Sequence, residues 1–202
     1  MVARSVGRRI PAVCAVALAA QACGGRDSAP ADDTSPPRTG ATAAVATVTC
    51  GMDASASVTG DGIGALRVGA TVEDVARQCR VVRDATAPGP EGMPERRIVV
   101  DLGRDSVSAV VDSGRVWRLH VRTPAFRTAD SLGVGTPGPT LRRPGAQVLT
   151  GEGAVFVTLP SHCGLSFRLR GVEFGRVTRP AQIPDTAVVE EVLAFGCSGG
   201  RR

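Results

Sequence analysis

The sequence predicts an α+β fold in which two tandem units, each a short helix followed by an antiparallel β-meander, pack as one domain. Residues 46–128 form the first unit and residues 129–198 the second, with a tail at 199–202. Three observations support this prediction. Several segments alternate apolar and polar residues, one segment has a helical apolar period, and a Leu-x-Val-Gly pattern at Leu66 recurs at Leu132.

The first unit opens with short strands predicted at residues 45–50 and 66–68. Thr71 can cap a following helix, because Asp74 comes three residues later and acids suit a first helical turn. Apolar residues then recur at a spacing that places them on one helical face. These residues are Val72, Val75, Ala76 and Cys79.

A meander of three strands follows this helix, after a loop predicted at residues 86–94. The strands are predicted at residues 97–102, 107–111 and 115–121, separated by turns that contain Gly103 and Gly114. The third strand alternates in a way that is typical of a half-buried antiparallel strand. Trp117, Leu119 and Val121 are expected to face the core, and Arg118, His120 and Arg122 to face solvent.

The second unit repeats this order with a weaker helix. Thr136 followed by Pro137 suits a helix start, but Gly138, Pro139 and Pro144 leave room for barely one turn. Strands are predicted at residues 147–149, 154–159, 165–169 and 188–195, the last after a proline-bounded segment at 179–185.

Residues 1–22 have the organisation of an export signal. Arg4, Arg8 and Arg9 precede an apolar segment at 10–22 that is too short to span a bilayer. Ala20-Gln21-Ala22 suits ordinary signal peptidase, which would release a plain secreted protein. The same residues followed by Cys23 resemble a bacterial lipobox, which implies that Cys23 carries the lipid and becomes the N-terminus. Residues 23–45 then form a disordered linker, and the protein is anchored to a bacterial membrane, facing the periplasm or the cell surface.

Four cysteines remain once Cys14 and Cys23 are assigned to the signal and the lipid. An even number in an exported chain indicates two disulfides, for which three connectivities exist. We favour Cys50–Cys79 and Cys163–Cys197, because each pair lies within one unit. A zinc site is the rival interpretation, but it usually needs closer spacing than this chain offers.

The segment that carries the first Leu-x-Val-Gly pattern also carries a family resemblance. Residues 66–75 read as a strand, a glycine turn, an N-cap and a helix. Such a unit followed by a meander resembles small bacterial lipoproteins and inhibitors of the outer-membrane-assembly and β-lactamase-inhibitor kind. The resemblance implies the fold and the compartment, and it assigns no site residues.

Composition argues against several classes of function. The formal charge is +5, but without the three arginines of the signal the chain has 21 basic and 19 acidic residues. All the basic residues are arginines, and acids interrupt them, so we expect no nucleic-acid partner. No nucleotide-binding loop, serine elbow or metal-ligand spacing occurs, so no cofactor and no metal are expected.

The candidate site residues are few. Cys163 beside His162 could be a nucleophile with its base, but a disulfide half-cystine is the favoured interpretation. Five basic residues on or just after the strand predicted at 115–121 form a cationic set, which could bind an acidic partner or anionic lipid headgroups. The predicted function is therefore a non-catalytic, lipid-anchored envelope protein that binds another envelope protein. The alternative is an envelope hydrolase or small-ligand receptor with a site between the two units. The cationic set is Arg115, Arg118, His120, Arg122 and Arg127.

Overall fold

The computed structural model describes residues 50–53 and 56–197. The predicted signal, the lipidation site Cys23, the linker, most of the strand predicted at 45–50 and the tail lie outside these residues. No helix in the described part of the chain is long and apolar enough to cross a membrane.

In the residues that the structure describes, an eight-stranded antiparallel sheet and one short α-helix make the fold α+β. The elements are β1 Gly62–Ile63, β2 Leu66–Arg67, α1 Val72–Gln78, β3 Arg80–Pro88, β4 Pro94–Asp101, β5 Ser106–Asp112, β6 Arg115–Val121, β7 Gln147–Gly151, β8 Ala154–Thr158, β9 Leu165–Arg170 and β10 Val188–Ala194. Strands β3 to β6 form one meander and β7 to β10 another, and the last strands of the two meanders pair with each other. The strand order is β3-β4-β5-β6-β10-β9-β8-β7, and a small β1–β2 hairpin lies outside this sheet.

Helix α1 confirms the helix predicted after Thr71. The Thr71 hydroxyl accepts a hydrogen bond from the backbone N–H of Asp74, which satisfies one of the free donors of the first turn. Val75 and Cys79 are buried. Cys79 ends the helix in an extended conformation, so β3 begins directly after it.

Two predicted elements differ from the structure. Strand β3 is the edge strand of the sheet, and its pairing with β4 continues to Pro88. It therefore extends across the start of the loop predicted at 86–94. Most of its residues are exposed, so no alternation of burial could reveal it in the sequence. In the second unit, the weak helix is a single 3₁₀ turn at Gly138–Leu141.

The main core lies on one face of the sheet. Leu119 and Val121 of β6 join a cluster with Val75 of the helix, Leu66 of the hairpin and Leu141 of the 3₁₀ turn. A separate small cluster consists of Ala154, Phe156 and Leu193, with Phe195 against it. We call the face of the sheet that carries this second cluster the outer face.

A β-bulge in β6 changes the orientation predicted for Trp117. Val110 pairs with Arg118 and Val111 with Val116, so Trp117 is an extra residue that opposes none. Trp117 therefore lies on the outer face beside Arg118 and is half-exposed, so the expectation that it faces the core is wrong. Leu119 and Val121 face the core as expected. Arg118 and His120 lie on the opposite face, but the expectation that they face solvent is wrong, because contacts with glutamates bury them.

Both favoured disulfides are confirmed. Cys50 bonds to Cys79, and Cys163 bonds to Cys197. The second bond is packed closely against Gly60, where a Cβ atom would lie 2.0 Å from the carbonyl oxygen of Cys163. Two disulfides are consistent with export to an oxidising compartment.

Candidate functional site

A groove of about 600 Å³ lies on the outer face. It is framed by strands β6 to β10 and by the β8–β9 connection, so residues far apart in sequence meet there. Volumes of this size are typical of small-molecule sites. Its lining includes Trp117, Arg118, Leu149, Glu152, Phe156, Leu159, His162, Leu165, Ser166, Leu193 and Phe195.

Aromatic and aliphatic side chains make most of this groove apolar. The rings of Trp117 and Phe195 meet edge to face with their centroids 6.0 Å apart. Trp117 is 49% exposed and Leu149 is 48% exposed, although both side chains are large and apolar. Exposed apolar groups that adjoin one another commonly mark a surface that binds something.

Arg118 is the buried charge of the groove. Its side chain is 4% exposed, its Nη1 donates to Oε1 of Glu152 at 2.8 Å, and its Nη2 lies 3.5 Å from Oε2 of Glu95. The guanidinium carbon lies 4.9 Å from the centroid of Trp117 and 5.9 Å from that of Phe195. The buried Nε has no hydrogen-bond acceptor, although buried donors are normally satisfied.

A second cluster of charges surrounds Glu191 on β10. Nδ1 of His120 lies 2.6 Å from Oε1 of Glu191, and Nε of Arg122 donates to the same oxygen at 2.7 Å. Arg168 lies 3.4 Å from the other oxygen. Burial raises the pKa of Glu191, but the hydrogen bonds from His120 and Arg122 outweigh it and lower the pKa to about 2. A depression of about 290 Å³ adjoins this cluster.

His162, at the rim of the groove, links a serine to a carboxylate. The Ser161 hydroxyl lies 2.9 Å from Nδ1 of His162, and Nε2 lies 2.8 Å from Oδ1 of Asp130. Burial raises the pKa of Asp130, but hydrogen bonds from Thr128, Arg143 and His162 outweigh burial and hold this pKa well below its usual value. A serine, an imidazole and a carboxylate in succession are the groups of a nucleophilic hydrolase. Cys163 cannot be the nucleophile, because its sulfur is in a disulfide.

The predicted cationic set does not form one free surface. Arg118 and His120 are buried, and Arg122 binds Glu191. Arg115 donates to the carbonyl of Gly69 at 2.9 Å.

The last member of that set, Arg127, binds backbone carbonyls. It donates to the carbonyls of Ser131 and Val134 at 2.9 and 3.1 Å. Within the described residues, no group of three or more His, Cys, Asp or Glu side chains could hold a metal ion.

Sequence reasoning missed most of the groove. The sequence predicts Trp117 in the core, and it predicts Phe156, Phe195 and Leu149 within strands without indicating a shared surface. One signal was available: Trp117 is the single tryptophan of a chain with few aromatic residues. Glu152 carried no signal, because it lies in a turn between two glycines.

The fold is similar to that of a solved structure, the uncharacterized protein yfeY from Escherichia coli. The two share a TM-score of 0.52 and 17% sequence identity, over 69% of this chain and 99% of that chain. No family model matches the chain, and no curated protein matches it. The likeness to the solved structure establishes the fold alone.

Proposed function

We propose that this chain is a non-catalytic, lipid-anchored envelope protein that binds a small apolar ligand in the groove of the outer face. The observation that carries the proposal is the apolar groove itself, with Trp117 and Leu149 half-exposed beside it. Covering one large apolar side chain contributes about 1 kcal/mol or more. A ligand that covers both side chains therefore gains affinity without any rearrangement of the sheet.

This proposal replaces the protein partner that the sequence suggested with a small ligand. The cationic set that motivated a protein partner is occupied by intramolecular contacts, as Arg118 and Arg122 illustrate. The groove has the size of a small-molecule site and a lining that is mainly apolar. The proposed site thus corresponds to the small-ligand receptor that the sequence analysis gave as an alternative function.

The test uses Trp117 as its own reporter, because it is the single tryptophan and lies in the groove. A neutral apolar probe, N-phenyl-1-naphthylamine, is titrated while emission from Trp117 and from the probe is recorded. Leu149→Asp should weaken binding about tenfold or more, since it places a charge beside the apolar lining. Val82→Asp is the matched control, because Val82 is a strand residue, 47% exposed, outside the groove. Failure of the wild type to bind, or equal binding by both variants, would refute the proposal.

Membrane attachment is part of the proposal and is tested separately. We propose that Cys23 carries the lipid, since the residues before it resemble a lipobox and two disulfides fit an exported domain. Stable anchoring requires acyl chains of the kind that lipoproteins carry. Cys23→Ser should release the protein from the membrane fraction and abolish incorporation of labelled palmitate. Retention of label in this variant would contradict the assignment.

We also propose that the two meanders are tandem repeats. The pattern at Gly69 recurs at Gly135, and these glycines make the same contact. Gly69 N–H donates to the carbonyl of Val116 at 2.7 Å, and Gly135 N–H donates to that of Val189 at 2.8 Å. Each contact is at the start of the last strand of its meander. The hydrogen bonds support a common origin for the two units.

The bulges support the same proposal. Trp117 is the extra residue of β6, and Glu190 occupies the corresponding place in β10, where the pairing shifts between Val189 and Glu191. The β6–β10 ladder is also symmetric about the His120–Leu193 pair. Its flanking pairs are Leu119 with Ala194 and Val121 with Val192.

Ester hydrolysis is a second candidate function, favoured by the Ser161–His162–Asp130 contacts beside the groove. In this reaction the Ser161 hydroxyl would attack an ester carbonyl and pass its proton to His162. The ester C–O bond would break as His162 gives that proton to the leaving alcohol, and water would then hydrolyse the acyl-serine and restore the Ser161 hydroxyl. The test is release of nitrophenolate from a nitrophenyl ester by the wild type and by Ser161→Ala. Turnover that this substitution abolishes supports hydrolysis. A rate that equals the uncatalysed rate, or that survives the substitution, refutes it.

A further inference from the structure

We infer that the groove selects ligands with an anionic head group, which binds Arg118 in place of Glu152. The inference rests on the proposed function and names the ligand class as a single-chain amphiphilic anion. The head group is a carboxylate or a phosphate ester, and the chain is aliphatic. Three features of the outer face support it: the burial of Arg118, the position of Glu152 and the rings beside the guanidinium.

The first feature is a buried cation that is incompletely satisfied. Arg118 is 3% exposed, and its Nε has no acceptor. A buried guanidinium with an unpaired donor is incompletely compensated, so a strong oxyanion contact at its Nη1 is favourable. A guanidinium binds carboxylates and phosphates through two parallel hydrogen bonds. Arg118 therefore offers the donor geometry that an anionic head group requires.

The second feature is the exchangeable partner of Arg118. Glu152 lies in the turn between β7 and β8, flanked by Gly151 and Gly153, and its side chain is 36% exposed. Its carboxylate on Nη1 demonstrates that this site accepts an oxyanion. Because Glu152 is on a turn, its side chain can move into solvent without disturbing a strand. It thus occupies the place that we assign to the ligand head group.

The local charges favour this exchange. Glu152 pairs with Arg118, and Glu95 lies beside both Arg118 and Arg97. With Glu152 in place, the two positive charges are therefore balanced by two negative charges. When Glu152 leaves, the two arginines face one carboxylate. An anionic head group restores neutrality, whereas a cationic one adds a second uncompensated charge in a buried setting.

The third feature connects the head group to the apolar lining. The guanidinium carbon lies within 6 Å of the centroids of Trp117 and Phe195. An anion bound to Arg118 therefore has both rings within reach of its first methylene groups. Phe156 and Leu193 continue the apolar lining along the outer face.

The test compares ligands that share a decyl chain. Decanoate, decyl phosphate, decanol and decylamine compete with N-phenyl-1-naphthylamine for the wild-type protein, each below its micelle concentration. We expect one or both anions to bind about tenfold or more tightly than decanol, because a charge-assisted hydrogen bond distinguishes them. The carboxylate and phosphate arms identify the preferred head group. Equal binding of decanol and both anions would overturn the inference while leaving the apolar groove intact.

Substitutions of the two partners should act in opposite directions. Glu152→Gln should strengthen binding of the preferred anion and leave decanol unchanged, since the competing carboxylate is gone. Glu173→Gln is the matched control, because it removes an equal charge at an exposed residue outside the groove. Arg118→Lys keeps the charge but loses the planar fork, so it should reduce the preference for the anion. No change in that preference with Glu152→Gln would overturn the inference, even if the Arg118 variant fails to fold. Absence of binding by every ligand and the naphthylamine would instead refute the proposed function.

Discussion

Replacing Glu191 with glutamine tests how the charged cluster of the outer face stabilises the fold. Glu191 is 3% exposed, and one of its oxygens lies 2.6 Å from Nδ1 of His120 and 2.7 Å from Nε of Arg122. Glutamine keeps the shape of the side chain and removes its charge. The substitution therefore separates the ionic contribution from packing.

The pKa of Glu191 determines the expected magnitude. Burial raises this pKa, but the hydrogen bonds from His120 and Arg122 lower it from 4.5 to about 2. That difference corresponds to about 3 kcal/mol of folding free energy. Because the pKa is lower in the folded state, this stability is present above about pH 4.5. It is lost as the pH falls through about 2, where Glu191 itself becomes protonated.

Urea denaturation of the wild type and Glu191→Gln from about pH 7 to about pH 2 measures this effect. We expect the variant to be less stable by about 3 kcal/mol at neutral pH, with the difference shrinking toward zero at the acid end. Glu190→Gln is the control, since the Glu190 side chain is one-third exposed and pairs with Arg168 at 2.9 Å. It should cost less than about 1 kcal/mol. A wild-type-to-variant difference that does not change with pH would refute the ionic explanation.

Two further predictions concern the backbone and the covalent links. Replacing both cysteines of Cys50–Cys79 by alanine should lower the free energy of unfolding by about 3–4 kcal/mol, since the bond closes a loop of 29 residues. Removal of Cys163–Cys197, with a separation of 34 residues, should lower the free energy of unfolding by about the same amount. If urea denaturation gives losses for the two bonds that differ many-fold, the loop-closure explanation is wrong. Gly60→Ala should destabilise by about 3 kcal/mol or more, because its Cβ would lie 2.0 Å from a carbonyl oxygen. Gly69→Ala is the comparison, with φ of +86° and open space around the Cβ, and should cost about 1 kcal/mol; equal thermal shifts would refute this distinction.

Much of the backbone could be predicted from local patterns. Strand β6 spans Arg115–Val121, which are the residues expected for it, and the Thr71 cap begins α1 where predicted. The disulfide pairing followed from an even cysteine count and from placing each pair within one unit. These features depend on residues that are close in sequence or on simple counting.

The side-chain arrangement of the groove could not be predicted in the same way. A bulge adds one residue to a strand without a sequence signature, so Val116-Trp117-Arg118-Leu119 is equally compatible with a regular strand. Trp117 shares a face with Leu119 in a regular strand, whereas the bulge puts it on the face of Arg118. The groove also joins β6 to β7 and β8 across a sheet whose order is set by long-range pairing.

The two bulges place buried charges of opposite sign on the outer face, and the difference between them favours a binding role for one. Arg118 follows the bulge of β6, and Glu191 follows that of β10. Glu191 has contacts with His120, Arg122 and Arg168, so both of its oxygens are satisfied. Buried polar atoms without a partner occur in both places, at Nε of Arg118 and at Nε2 of His120. Arg118 differs because it lines the apolar groove and its partner Glu152 is 36% exposed.

A buried ion pair is often no more stabilising than apolar residues of similar volume. Stability alone therefore gives little reason to keep an incompletely satisfied arginine beneath an apolar groove. Binding gives a direct reason, because a head-group oxygen can take the place of Glu152 on Nη1 while the chain covers Trp117. By this reasoning the Glu191 cluster holds the outer face together, and Arg118 is the charge that remains available to a ligand.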